Sequence, residues 1–170
     1  MIVDPKRNGL KESDIAQAVL VRKHPPTELA GSVTSFVHRD EDLGPQIVRV
    51  LPEVRFSIQI MFDQAYWLRE AGPNAEWKRL PRTALWGPRY RWCYGFAAGR
   101  IKAFAIGLTA SGFKRICGLP APQLVDRVLD LQDIHPLLAE ALAPAGDETF
   151  EAWHFRAATA LRAFLQEPGD

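Results

Sequence analysis

Cysteine and histidine are scarce in this chain, and most metal and thiol chemistry goes with them. Among 170 residues there are two cysteines, Cys93 and Cys117, and four histidines. Two cysteines outside any CxxC or Cys/His cluster exclude a disulfide scaffold and a zinc module, and fit a reduced, cytoplasmic chain. His24, His38, His135 and His154 stand far apart, in no HxH or HExxH arrangement. A metal-binding jelly roll would show paired histidines on one strand, then a glutamate and a later histidine. His38, alone on a strand, therefore reads as a surface or satisfied histidine, and no metal or other cofactor is expected. Long hydrophobic runs are also missing. Nothing approaches the ~18 apolar residues of a membrane span, and the charged start DPKRNGLKESD has no apolar core of a signal peptide.

Catalytic motifs are equally sparse. Ser111-Gly112 lies in no GxSxG elbow. Cys93 follows Arg91 without a histidine partner; neighbouring arginines would lower its thiol pKa, against the plainer reading of a half-buried cysteine. Glu53 and Asp63 form an acid–base pair only if the fold joins them. No P-loop or GxGxxG is present. With no catalytic group to name, the chain is not expected to be an enzyme.

What is present begins with an uneven charge distribution. Net charge is +1. Trp77 to Val125 holds nine basic residues (Lys78, Arg79, Arg82, Arg89, Arg91, Arg100, Lys102, Lys114, Arg115) and no acidic one, whereas Asp126 to Asp170 holds nine acidic and three basic residues. Two readings stand: solvated faces that pair within the fold, or a basic surface that attracts an anionic ligand or acidic partner. A nearly neutral chain without a recognition helix argues against DNA.

Period-two alternation dominates the first two-thirds. In Arg55–Asp63, Phe56, Ile58, Ile60 and Phe62 share one face. In Arg89–Phe96, Tyr90, Trp92, Tyr94 and Phe96 share one face, and a turn at Ala97-Ala98-Gly99 leads into Arg100–Leu108. Weaker strands are expected at Ala16–Arg22, Ser32–Arg39, Gln46–Leu51, Tyr66–Glu70, Glu76–Leu80 and Thr83–Trp86. About eight short strands at this spacing predict an antiparallel β-barrel or a jelly-roll-like sandwich.

The last third changes period. Thr109 reads as an N-cap and Gly118 as a left-handed helix stop, followed by a Gly-Leu-Pro break and a second short helix. Pro136–Ala143 predicts a further helix. Asp147 reads as the cap of a last helix with a stripe of Phe150, Trp153, Ala157, Leu161, Phe164 and Leu165. That stripe either covers its own β domain or packs on a second chain. The chain is thus expected to be one α+β domain, mainly β over about residues 10–108 and mainly α over 109–166, with two or three C-terminal helices.

The aromatic strand is the best binding candidate. Tyr90, Trp92, Tyr94 and Phe96 either fill a core or line a lumen, with Tyr66 and Trp86 joining the lining. A ligand there would be flat or apolar, its polar group met by a tyrosine hydroxyl or by an arginine such as Arg91.

Several short stretches, taken in order, resemble the effector-binding and dimerisation domain of AraC-like (AraC/XylS family) transcription regulators. Ile106-Gly107-Leu108 matches a Gly-Val-Arg-Phe strand end, Gly118-Leu119-Pro120 a Gly-Val-Pro break, and Leu124-Val125-Asp126-Arg127-Val128 with Leu131-Gln132-Asp133 the closing Leu-x-Asp-Arg-Val-x-x-Leu-x-Asp run. Upstream, Arg49-Val50-Leu51-Pro52-Glu53 is similar to Arg-Val-Leu-Pro-Asp, and Leu85-Trp86-Gly87-Pro88 to Val-x-Gly-Pro. Thr109-Ala110-Ser111 departs from the family's Pro-Gly turn. The resemblance covers about residues 25–165. It implies a cupin-like barrel that senses a small-molecule effector, a homodimer joined through helices, and DNA reached only through a helix-turn-helix region beyond Asp170. The alternative is a stand-alone cupin-like small-molecule-binding protein or enzyme.

Overall fold

The computed structural model describes residues 19–42, 44–62 and 66–166. Among these, ten strands form: β1 (Val19–Lys23), β2 (Val33–Asp42), β3 (Gln46–Val50), β4 (Phe56–Met61), β5 (Tyr66–Glu70), β6 (Lys78–Arg79), β7 (Thr83–Trp86), β8 (Cys93–Ala97), β9 (Arg100–Leu108) and β10 (Val128–Asp130). Four helices follow: α1 (Ala110–Cys117), α2 (Leu131–Ile134), α3 (Pro136–Leu142) and α4 (Phe150–Gln166). The fold is α+β, and every strand pairing among the described residues is antiparallel.

The strands make two sheets, β1-β2-β9-β4-β7-β10 and β3-β8-β5-β6. No ladder joins them among the described residues, so of the two expected arrangements the closed barrel is not formed and two sheets face each other. The reason lies in the alternation. Phe56, Ile58, Ile60, Leu85, Phe104 and Ile106 pack in one cluster with Phe113, Leu138, Trp153 and Leu161 of the helices. From the reverse face of the same sheet, Met61, Ala84, Trp86, Ile101 and Ala103 pack with Val48, Val50, Tyr66, Leu68 and Cys93 of the smaller sheet. A large sheet covered on both faces hides its apolar surface without closing. The molecule is therefore layered: small sheet, large sheet, helices.

The helical end follows local chemistry closely. Thr109 Oγ1 accepts a hydrogen bond from the Gly112 amide at 2.9 Å, and Gly118 ends α1 at φ 63°. The second short helix after Gly-Leu-Pro is instead a 3-10 turn at Ala121–Leu124, and the following Val-Leu-Asp pairs with β7 as an edge strand. The last helix begins later than Asp147. Thr149 Oγ1, not Asp147, accepts from an amide of its first turn, that of Ala152 at 3.3 Å. Glu148 instead accepts from the Ala145 amide and pairs with Arg156. The helix stripe lies against its own large sheet: Phe150, Trp153, Ala157, Leu161 and Leu165 are buried, and Phe164 is half-buried. Of the weaker strands, residues 16–18 of Ala16–Arg22 lie outside the described residues.

Candidate functional site

Between the sheets, on the β1–β2 side, lies a pocket of about 70 Å³. Its floor is the inner face of the large sheet: Val37 and Arg39 from β2, Gln59 and Met61 from β4, and Ile101, Ala103 and Ala105 from β9. Leu20 and Arg22 of β1 stand at the rim, and Tyr66 of β5 comes from the opposite sheet. Small alanines on β9 leave the space, and period-two alternation turns it inward. The volume is enough for a few waters or for the polar head of a larger molecule.

Of its polar groups Tyr66 is buried, Arg39 and Gln59 are half-buried, and Arg22 is exposed. Tyr66 is 4% exposed, and its hydroxyl has no hydrogen-bond partner among the described residues. The phenol crosses β8 where that strand has no side chain; a Cβ on Gly95 would stand 2.0 Å from the hydroxyl. Burial pushes the Tyr66 pKa up to about 12, although the nearby Arg39 cation opposes this, so the phenol stays a neutral donor at physiological pH. Arg39 forms an ion pair with Glu41, and burial lowers its pKa below the usual arginine range. A buried, uncommitted hydroxyl beside a half-buried guanidinium is a recognition pair for an acceptor or anionic group.

The expected aromatic lining is inverted. On β8 the inward residues are Cys93, Gly95 and Ala97, and Tyr94 and Phe96 face out. Trp92, just ahead of the strand, packs edge-to-face on Tyr94 at 5.0 Å. Tyr90 is 60% exposed and Arg91 is exposed; neither lines the pocket, and both are tethered by their amides to the Asp126 carboxylate at 2.9 and 3.1 Å. The physical reason is space: Tyr66 and Trp86 already fill the gap between the sheets, so the facing strand contributes only small residues there. Outside, arginines stack on the displaced rings, Arg49 on Trp92 at 4.3 Å and Arg69 on Tyr94 at 5.0 Å. Trp86 is buried between the sheets but borders a different recess, beside Arg89. Of the seven aromatic and arginine candidates, only Tyr66 lines the inter-sheet pocket. Arg39 and Gln59 were missed, though alternation marks their faces, Val37-x-Arg39-x-Glu41 on β2 and Ser57-x-Gln59-x-Met61 on β4.

A second, open groove of about 730 Å³ runs along the β5–β6 end toward β10. There Arg89 is 4% exposed and donates to Glu70 at 3.0 and 3.2 Å. Asp126 beside it holds a left-handed φ of 58°. Neither cysteine is activated. Burial raises Cys93 to about 11 despite the pull of Arg89, and raises Cys117 to about 12. Glu53 pairs with Arg55 at 3.0 Å, and Asp63 lies outside the described residues. Among the described residues no group of three or more His, Cys, Asp or Glu is placed to hold a metal ion.

Two imidazoles sit on the far side of the pocket wall. His38 of β2 stacks on Phe150 at 5.4 Å and meets Phe104 edge-on at 5.2 Å; His154 of α4 meets Phe36 edge-on at 4.6 Å. Burial holds both below the usual histidine range. Asp40 pulls His38 back up and Lys102 pushes it further down; for His154, Lys23 pushes down and Glu151 up. The unfolded chain thus binds protons more readily at both sites. Their contribution is complete above the unfolded value of about 6.5 and is lost as pH falls from there through the lower folded values. The thermal midpoint is expected to drop between pH 7.5 and pH 5.5, and a His38→Gln/His154→Gln variant to show a flatter profile. A midpoint that rises on acidification across this range contradicts the assignment.

No protein-family model matches the chain, and none of the curated proteins matches it significantly. No helix among the described residues is long and apolar enough to cross a membrane.

Proposed function

We propose that this chain is the ligand-sensing and dimerising domain of an AraC-like transcription regulator, in which a cupin-like pair of sheets binds a small effector and no bond is made or broken. The motif order from Arg49-Val50-Leu51-Pro52 to Leu131-Gln132-Asp133 supports the family. One observation carries the sensing part: the strands that wall the pocket carry the helices on their reverse face. On β2, Val37 and Arg39 face the pocket while Phe36 and His38 meet α4. On β9, Ala103 and Ala105 face the pocket while Phe104 packs on Trp153 at 4.3 Å. A ligand that shifts either strand biases the seat of α4, which is the differential contact a population shift requires.

The effector on this reading is compact, with an apolar body against Met61 and Ile101 and one carboxylate or similar acceptor toward Tyr66 and Arg39. Calorimetric titration with benzoate and a series of short fatty acids tests it. Binding is expected for at least one, weakened about 3- to 10-fold by Tyr66→Phe, as for a neutral hydrogen bond, and more by Arg39→Gln. Affinity untouched by both substitutions rules out the pocket. Dimerisation would use the helical layer, where Phe155 and Leu137 are 76% and 67% exposed. Sedimentation at micromolar concentration is expected to show a dimer that Phe155→Asp dissociates; a wild-type monomer removes that half of the proposal. DNA contact would belong to a helix-turn-helix region encoded past Asp170. A stop codon there would leave a stand-alone binding protein.

A further inference from the structure

The outer face of the four-stranded sheet is the least expected surface of the molecule. Register places two rows across it. Ile47, Phe96, Trp67 and Arg79 form one; Arg49, Tyr94 and Arg69 form the other. Trp92 and Trp77 extend the rows at their ends, with Trp77 6.1 Å from Phe96 and Trp92 5.0 Å from Tyr94. Arg49 lies 4.3 Å over Trp92, and Arg69 lies between Trp77 and Tyr94 at 4.9 and 5.0 Å. None of the outward strand positions bears a carboxylate. The helices lie beyond the other sheet, so no described element covers this face. Ile47 is 59% exposed, and Arg49 and Arg79 are exposed.

We propose that this face binds single-stranded nucleic acid, with bases stacked on the aromatic row and phosphates met by Arg49, Arg69 and Arg79. Three features select this occupant. The outward strand positions carry Arg49, Arg69 and Arg79 and no carboxylate, so the face calls for a polyanion. Its rings are flat, partly exposed and repeated, which suits bases rather than the irregular side chains of an acidic peptide. Adjacent rows are about 7 Å apart along the strands, comparable to the phosphate spacing of an extended strand. A second copy of the same face fits badly, because two-fold pairing would set arginine rows against arginine rows. A duplex fits badly too, since the face is a sheet with nothing projecting to enter a groove. The inference does not depend on the effector pocket.

Fluorescence anisotropy with labelled 20-mers of oligo-dT and oligo-U tests it on the whole chain. Binding is expected at 50 mM salt, with a slope of about −2 in log K against log salt for three phosphates, or about 20-fold weaker binding at 200 mM. Trp92→Ala is expected to weaken binding at least about fivefold through lost stacking, and Arg49→Gln to flatten the salt slope. Arg115→Gln, a basic residue on exposed α1 surface, is expected to change nothing. Melting curves confirm that each variant is folded. The proposal is overturned by no binding at 50 mM salt, by equal affinity for duplex, by an Arg115→Gln loss as large as that of Arg49→Gln, or by polyglutamate binding more tightly than oligo-dT.

Discussion

Replacing Trp153 by alanine is expected to destabilise the protein by about 3–5 kcal/mol, the usual range for a buried Trp. Trp153 is fully buried where the large sheet meets the helices. Its ring packs on Phe104 at 4.3 Å, Phe150 at 6.0 Å and Phe36 at 6.1 Å. Its indole N–H donates to the Leu142 carbonyl at 2.9 Å, tying α4 to the end of α3. Truncation opens a void among rigid rings that collapse poorly, and it orphans a buried carbonyl. Because a domain is stable by only about 5–15 kcal/mol, such a loss is a large fraction of the whole. Thermal unfolding followed by circular dichroism is expected to show a midpoint lower by on the order of 10 °C. Trp153→Phe, which keeps much of the volume, is expected to fall in between. A Trp153→Ala midpoint within 2–3 °C of wild type, roughly the effect of 1 kcal/mol, contradicts the packing account.

Gly87→Ala is expected to cost about 1–3 kcal/mol through overpacking. A Cβ at Gly87 would stand 2.0 Å from the Leu124 carbonyl oxygen and 2.7 Å from its carbon. Both are backbone atoms, so no side chain can swing aside. Two hydrogen bonds lock the same strands of chain together, Gly87 amide to Arg127 carbonyl at 3.2 Å and Asp126 amide to Pro88 carbonyl at 2.9 Å. The methyl group must therefore push apart the segments that hold Arg89, Asp126 and the open groove. In urea the unfolding midpoint is expected to fall with an unchanged slope. A change below about 0.5 kcal/mol, ordinary for an uninvolved surface site, would show that the two segments give way freely. The glycine of Leu85-Trp86-Gly87-Pro88 thus has a packing reason of its own.

Much of the secondary structure was legible from residues alone. Period two located β4 and β5, which alternate along most of their length, and the Gly87-Pro88 and Ala98-Gly99 turns bounded β7 and β9. Thr109 and Gly118 announced both ends of α1, since capping hydroxyls and left-handed glycines act within one turn. β10 was not legible: a three-residue edge strand is specified by β7 beside it. The choice between a closed barrel and two facing sheets stayed open for a related reason, as closure depends on what covers each face.

The candidate site divides in the same way. Alternation on β8 separated Tyr94 and Phe96 from Cys93 and Gly95 without any knowledge of the fold. Which set turns inward is a question of volume, and Tyr66 and Trp86 answer it from other strands by occupying the gap. Hydrophobicity pointed the rings to the interior; stacked arginines made the exterior acceptable to them. Likewise Arg39 reads locally as one charge on a strand, and it becomes a pocket residue only because Tyr66 arrives from the opposite sheet. Periodicity and caps are written within a few neighbouring residues, whereas inside and outside are settled by partners distant along the chain.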